Sequence, residues 1–184
     1  MINPAFLNYP EEEALVGQML LGYSDIVISL LIVSGEAMKQ KFVLLEATHK
    51  LQSESQRIRI ASTMARGAIE KLGLEQDYSE AVSAVNYCKD IRNNYAHCLW
   101  GLQNGGLAYT SVEKDSFTHA MKDFIWYPVD KTLLEKQKLF FVYTKECLAH
   151  LESNITPLLV GKGRKLKMPN RKNRPRKHNS IHSI

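Results

Sequence analysis

The sequence has few cysteines, and none at the spacing of a metal site. Its three cysteines, Cys88, Cys98 and Cys147, form no Cys-x-x-Cys pair. An odd and unpaired set suits a reducing compartment and gives no zinc-binding pattern. Cys147 and His150 share one face of a helix, but two ligands are too few to hold zinc. We therefore expect no metal and no cofactor.

Positive charge is missing from the start of the chain, where the first basic residue is Lys39. A secretory signal peptide needs a positively charged start, so we expect a cytoplasmic protein that is not exported. The longest apolar stretch, from Met19 to Val33, covers only 15 residues and contains Asp25. Because a helix needs about 20 apolar residues to cross a bilayer, this stretch predicts a core or dimer-facing helix and no membrane span.

Acidic residues are missing from the C-terminal end, since all 19 lie between Glu11 and Glu152. Nine of the 24 basic residues fall between Lys162 and Lys177, which leaves 15 basic against 19 acidic residues elsewhere. The segment is thus strongly positive and the remainder slightly negative. It also has too little apolar surface to fold alone. We expect residues 157–184 to form a disordered basic tail that binds a polyanion.

Apolar periodicity predicts one mainly helical domain over residues 1–156. Residues three and four apart lie on one helix face, so repeated apolar positions at those steps mark the buried face. The pattern predicts five helices, at about 11–33, 36–51, 55–72, 79–98 and 131–153. Ser34 and Gly35 should separate the first two helices, and Pro157 should lie just beyond the last.

A short β-hairpin is expected after the fourth helix. Residues 99–103 and 107–112 flank Asn104-Gly105-Gly106, whose residues accept the positive φ of a tight turn. The stretch 117–127 fits neither helix nor strand clearly. The expected fold is therefore all-α, a bundle of about five helices with a small hairpin and a disordered tail.

The helix predicted at 79–98 carries a polar stripe. Asn93 and His97 are one turn apart on it, and Arg92 lies beside them with a long side chain. The three side chains can converge on one phosphate. An ideal helix separates positions five apart by about 140°, so Arg92 must reach around the helix or the helix must end near His97.

The stretch from Cys88 to Gly101, CKDIRNNYAHCLWG, resembles the motif of the HEPN superfamily. That family is marked by an Arg, usually followed by a polar residue, and a His after four to six intervening residues. Here Arg92 and Asn93 are followed by His97 after four. The form Arg-Asn-x-x-Ala-His, with a Trp and a hairpin directly after, is similar to many bacterial members. The likeness in layout covers roughly residues 11–153.

The resemblance implies a metal-independent endoribonuclease with Arg92, Asn93 and His97 as its catalytic residues. RNA carries its own nucleophile, the 2′-hydroxyl beside each phosphate. Because imidazole can act as a base or, when protonated, as an acid, His97 can take the 2′-OH proton or supply one to the departing 5′-oxygen. Arg92 would hold the phosphate oxygens, and Asn93 would orient the histidine or donate to the phosphate. Asp90, one turn before Asn93, could tune the imidazole pKa.

The resemblance also implies partners. Two copies of the family's domain commonly pair so that both motifs line one cleft, so we expect a homodimer that acts on RNA. A role as a toxin or phage-defence effector, with an antitoxin or other regulatory protein, is the expected setting. Some HEPN toxins carry a Tyr two positions after the His that a nucleotidyltransferase partner modifies. Leu99 stands there in this sequence, which argues against that class of antitoxin.

A different class of function also fits the residues. In this alternative the chain is a non-catalytic dimerisation and nucleic-acid-binding module. His97 would then stabilise the C-terminal end of its helix, and Arg92 would form a surface ion pair. The basic tail can contact phosphates without reading sequence, and an acidic protein or ribosomal surface would suit it too. Tyr95 and Trp100 are interpreted as core or interface aromatics rather than base-stacking platforms.

Overall fold

The computed structural model describes residues 3–111, 125–161 and 163–179. Within these ranges the protein is mainly helical, with one small antiparallel sheet. A single 3₁₀ turn, Pro4–Phe6, precedes the helices. The helices are α1 (Pro10–Ala37), α2 (Lys41–His49), α3 (Glu54–Lys71), α4 (Glu75–Ala96) and α5 (Lys131–Leu159). The strands are β1 (Cys98–Gln103), β2 (Gly106–Ser111) and β3 (Tyr127–Pro128).

The chain divides into two compact units. The first unit comprises Met1–Gly22, Lys89–Phe141 and Asn173–Ile184, and the second comprises Tyr23–Cys88 and Val142–Lys172. The first unit contains the sheet and the C-terminal part of α4. The second contains α2, α3 and the remainder of α4.

Helix α1 begins as expected but ends later. Three glutamates occupy its first turn, where the helix dipole favours negative charge. The expected break at Ser34 and Gly35 is wrong. Ser34 remains helical because its hydroxyl donates to the Leu30 carbonyl over 2.7 Å, and Gly35 makes room for a neighbouring segment, since a Cβ there would lie 2.6 Å from the Lys41 Cα. The chain turns instead at Lys39, which has a φ of 58°.

The length of α1 removes one reason for excluding a membrane span. The helix has 28 residues and is apolar enough by composition to cross a bilayer, and 44% of its most apolar window is buried inside the protein. In the second unit Tyr23, Ile26 and Leu30 are fully buried. Asp25 forms an ion pair with Lys145 of α5 at 3.0 Å. Burial of one face with a paired charge is typical of a core helix.

Two other helix ends differ from the sequence expectation. Helix α4 begins at Glu75 rather than Ser79, because Leu74 is fully buried and its carbonyl accepts from the Tyr78 amide over 2.9 Å. Helix α5 continues through Pro157 to Leu159, so the expected end near Ser153 is wrong. Burial of Ile155 extends the apolar face of α5 past that point.

The hairpin forms at the expected place. Asn104 and Gly105 both have positive φ, 50° and 78°, as a tight two-residue hairpin turn requires. Strand β1 pairs with β2, with Trp100 opposite Tyr109. The third strand, β3, pairs with β2 and was not expected from the sequence. Gly101 is needed in β1, since a Cβ there would lie 2.7 Å from the Trp126 ring.

Residues 163–179 of the C-terminal tail, for which the sequence predicts disorder, make specific polar contacts in the structure. In the second unit Lys165 lies 3.1 Å from the Asp77 carboxylate. The Leu166 amide donates to the Asn154 side chain over 2.7 Å, and Arg171 pairs with Glu80 at 3.2 Å. Asn154 of α5 and acidic residues of α4 therefore anchor a segment that has few apolar side chains of its own.

The anchoring of the tail in the second unit can be tested by proteolysis. Asn154→Ala removes the acceptor for the Leu166 amide, so we expect faster trypsin cleavage after Lys165 and Lys167. Cleavage should accelerate severalfold, since loss of one such hydrogen bond costs about 1 kcal/mol. Ser153→Ala, which removes only an exposed hydroxyl bonded within α5, is the matched control. Equal cleavage rates in the two variants would contradict the docked tail.

Two buried ionisable groups of the second unit, Tyr78 and Cys88, should lower the stability of the fold at alkaline pH. The Tyr78 hydroxyl lies 2.6 Å from the Ser34 hydroxyl, and the Cys88 thiol lies 3.3 Å from the Thr144 hydroxyl. Burial raises the pKa of Tyr78 and of Cys88 to about 12 each. The folded protein therefore retains these protons at a pH where the unfolded chain has lost them.

The free energy of unfolding should fall as the pH rises above about 9, the ordinary value for a thiol, because only the unfolded chain then ionises Cys88. At about pH 10.5 we expect Cys88 alone to contribute a loss on the order of 2 kcal/mol, measured by urea denaturation as the difference between wild type and Cys88→Ser. Cys88→Ser keeps a hydroxyl beside Thr144 but cannot ionise in this range. Its stability should fall less over the same interval, and an equal fall would contradict the assignment to Cys88.

Candidate active site

The residues singled out in the sequence lie at the C-terminal end of α4, in the first unit. Arg92 and Asn93 belong to the helix, whose last residue is Ala96, and His97 forms the turn into β1. The His97 amide still donates to the Asn93 carbonyl over 3.2 Å, so the helical hydrogen bonding continues to the histidine. The histidine therefore lies at the C-terminal end of the helix, directly before β1.

Arg92 turns toward the face that carries Asn93 and His97. Its Nη1 donates to the Asn93 Oδ1 over 3.2 Å. Since Asn93 is one turn from His97, this contact directs the Arg92 side chain toward the helix face on which His97 lies. Asn93 and His97 are exposed and Arg92 is half-buried. The structure thus brings Arg92 and Asn93 together, and places His97 one turn further along.

Asp90 does not serve His97 in the way the sequence suggested. Its Oδ2 lies 2.9 Å from the Lys177 Nζ of the C-terminal segment. No hydrogen bond or ion pair joins the His97 ring to any residue in the described part of the chain. The carboxylate is therefore committed to the tail, and the histidine keeps an exposed ring beside the Arg92 and Asn93 pair.

A buried aromatic cluster supports this end of α4. Tyr95 is almost fully buried, and its ring lies 5.3 Å from that of Trp100 and 5.4 Å from that of Tyr109, measured between centroids. The Phe6 ring packs on Trp100 at 4.9 Å. The interpretation of Tyr95 as a core aromatic is confirmed. Burial raises the pKa of the Tyr95 hydroxyl well above its ordinary value, so this group stays a neutral donor.

Gln137 of α5 connects the cluster to the tail. Its side chain is fully buried, and its Oε1 accepts from the Tyr95 hydroxyl over 2.6 Å. Its Nε2 donates to the Arg176 carbonyl over 2.8 Å and to the Lys177 carbonyl over 3.3 Å. The sequence contains a signal for this role, because a glutamine falls on the otherwise apolar stripe of α5 between Leu134 and Phe141.

The end of the tail is fixed by further contacts within the first unit. The Asn179 amide donates to the Pro128 carbonyl over 3.0 Å, and its side chain donates to Asp130 over 2.8 Å. The His178 ring packs on Tyr127 with centroids 4.6 Å apart. Residues 176–179 are therefore seated on β3 and α5, close to α4 through Lys177.

Asn93 and His97 of the candidate site lie exposed at the C-terminal end of α4. Clefts beside α4 lie nearer its N-terminal end and are lined by residues such as Asp77, Glu80 and Arg171. No cluster of three or more metal-binding side chains occurs in residues 3–111, 125–161 and 163–179. His150 bonds to Asn154 over 2.9 Å, and Cys147 is buried, as packing residues are.

No protein-family model, curated protein or solved structure matches the chain. Support for the candidate site therefore comes from the chemistry and geometry of its own residues.

The exposure of the motif predicts that its residues can be replaced without unfolding the protein. Arg92→Ala and His97→Ala should each change the free energy of unfolding by less than about 1 kcal/mol. Tyr95→Ala should cost about 3–5 kcal/mol, because it empties a buried aromatic site. Urea denaturation followed by circular dichroism measures all three. A large loss of stability in His97→Ala would contradict an exposed, functional histidine.

Proposed function

We propose that this protein is a metal-independent endoribonuclease of the HEPN type that acts as a homodimer on single-stranded RNA. The observation that carries the proposal is the Arg92 and Asn93 contact at the exposed end of α4, one turn from His97. These residues combine a phosphate-binding cation, an amide and an imidazole, the side chain that acts most often as a general acid or base. The buried cluster beneath them gives the rigid support that catalysis needs.

The reaction uses the 2′-hydroxyl of the RNA as the nucleophile. A neutral His97 takes the 2′-OH proton as the oxygen attacks the adjacent phosphorus. The bond from phosphorus to the 5′-oxygen breaks, and that oxygen takes a proton from an imidazolium. The products are a 2′,3′-cyclic phosphate and a 5′-hydroxyl. Arg92 neutralises the charge that builds on the phosphate oxygens, and Asn93 donates to the same group.

One copy of His97 cannot be base and acid in the same step. A two-fold pair of chains supplies a second His97, so that one imidazole accepts a proton while the other donates one. Asn93 and His97 are exposed, which such pairing needs if a second chain is to reach them. The proposed setting is cytoplasmic, as a toxin or phage-defence effector whose activity a partner protein holds in check.

The exposed motif also favours a second candidate, a helical nucleic-acid-binding module without catalysis. A surface that carries Arg92 and a docked basic segment can bind phosphates even where no second histidine is placed. The two candidates differ in the products. The module binds RNA and leaves it intact, whereas the nuclease binds RNA and cuts it.

Cleavage should depend on His97 and on no metal. Purified protein incubated with labelled single-stranded RNA in excess EDTA should cut the RNA and leave DNA of the same sequence intact. His97→Ala should lower the rate by about 10²–10⁴-fold, the usual value of general acid–base catalysis. His49→Ala, at another exposed histidine, is the matched control and should keep the wild-type rate. Full activity in His97→Ala would overturn the proposal.

A further inference from the structure

The C-terminal segment places fixed cations beside the motif. Gln137, fully buried, holds the Arg176 and Lys177 carbonyls on the same side chain that accepts from Tyr95 of α4. The Lys177 ammonium reaches Asp90, two positions before Arg92. The segment therefore lies against the part of α4 between Asp90 and Tyr95. Arg174 and Arg176 are exposed on it.

The Asp90 carboxylate poses an electrostatic problem for a phosphate-binding site. It lies on the turn of α4 that carries Arg92, and a negative charge there repels a phosphate. The Lys177 Nζ, 2.9 Å from its Oδ2, cancels that charge. The other carboxylate seated near the segment, Asp130, accepts from the Asn179 side chain. With Asp90 neutralised by Lys177, the cations of this turn, Lys89 and Arg92, determine its net charge.

We propose that residues 173–179 complete the RNA-binding surface of the same chain. The RNA backbone follows Arg174 and Arg176 to Arg92, and Lys177 is a positioning residue that neutralises Asp90. This inference rests on the proposed function and deepens it, since it assigns the phosphates flanking the cut site to an ordered segment. The ligand is single-stranded RNA, held through its phosphates and without base reading.

Lys177 could neutralise Asp90 or could only attach the tail, and these two roles predict different RNA affinities in the variants. If Lys177 acts by cancelling Asp90, loss of Lys177 weakens RNA binding, and loss of Asp90 alone does not. Loss of both restores binding, because the repelling charge has also gone. If Lys177 only attaches the tail, either single substitution detaches it and the double variant binds no better than the single ones.

The test measures the affinity of the full-length protein for a labelled 2′-O-methyl RNA, which cannot be cut by 2′-OH attack. Lys177→Met should weaken binding about five- to tenfold at low salt, and the Asp90→Asn/Lys177→Met double variant should return to within about twofold of wild type. Asp90→Asn alone should bind at least as tightly as wild type. Lys50→Met, at an exposed lysine of the second unit, is the control and should bind like wild type.

A second variant tests the anchor. Gln137→Met keeps a similar volume but loses the bonds to the Arg176 and Lys177 carbonyls and to Tyr95, so the segment around Arg176 is held less firmly on the surface. Binding should weaken about tenfold, and the slope of log affinity against log salt should become shallower by about 1.4 if two phosphate contacts are lost. Faster trypsin cleavage after Arg176 reports the detachment independently of RNA.

The outcomes separate the two proposals. If the wild type binds RNA and both Lys177→Met and Gln137→Met bind it with the same affinity, the inference is overturned and the proposed function is not. An unrestored double variant would overturn the charge-neutralising role of Lys177. Binding with the expected pattern but without cutting of natural RNA would support the inference and remove the nuclease assignment. Wild type that binds no RNA would overturn both.

Discussion

The buried side-chain amide of Gln137 is the contact on which the geometry of the candidate site depends. A buried amide without partners would cost about 1–3 kcal/mol, so its position is held by the groups that satisfy it. Those groups are the Tyr95 hydroxyl on α4 and the Arg176 and Lys177 carbonyls of the C-terminal segment. One side chain therefore sets both the orientation of the motif helix and the path of the tail beside it.

Ion pairs also connect α4 to the C-terminal tail. Acidic residues of α4 pair with the tail in each unit, Asp77 and Glu80 in the second and Asp90 in the first. These pairs are partly exposed, and each contributes at most about 1 kcal/mol. Their larger effect is on the surface potential, because they cancel carboxylates that would repel a polyanion. The basic tail thus acts as a fixed surface rather than as a free arm.

The sequence predicts the elements whose signals are local. Helix α3 follows the apolar periodicity of residues 55–72, and the hairpin follows Asn104 and Gly105. Prediction from the sequence fails where contacts between residues far apart in the chain determine the structure. Gly35 remains helical because another segment packs against it, and the tail is ordered through α4 and Gln137, which no periodicity reveals. The motif was found from its residue types, whereas the Arg92 contact with Asn93 and the pairing of Asp90 with Lys177 depend on side-chain geometry.

The central claim is that the end of α4 cuts RNA through the RNA's own 2′-hydroxyl. The most direct measurement maps the cut in a short RNA and then replaces only the ribose before that cut with 2′-deoxyribose, in EDTA. The account predicts a 2′,3′-cyclic phosphate and a 5′-hydroxyl at the original cut, and loss of that cut in the substituted strand. Cleavage at the deoxyribose position with unchanged rate would contradict it.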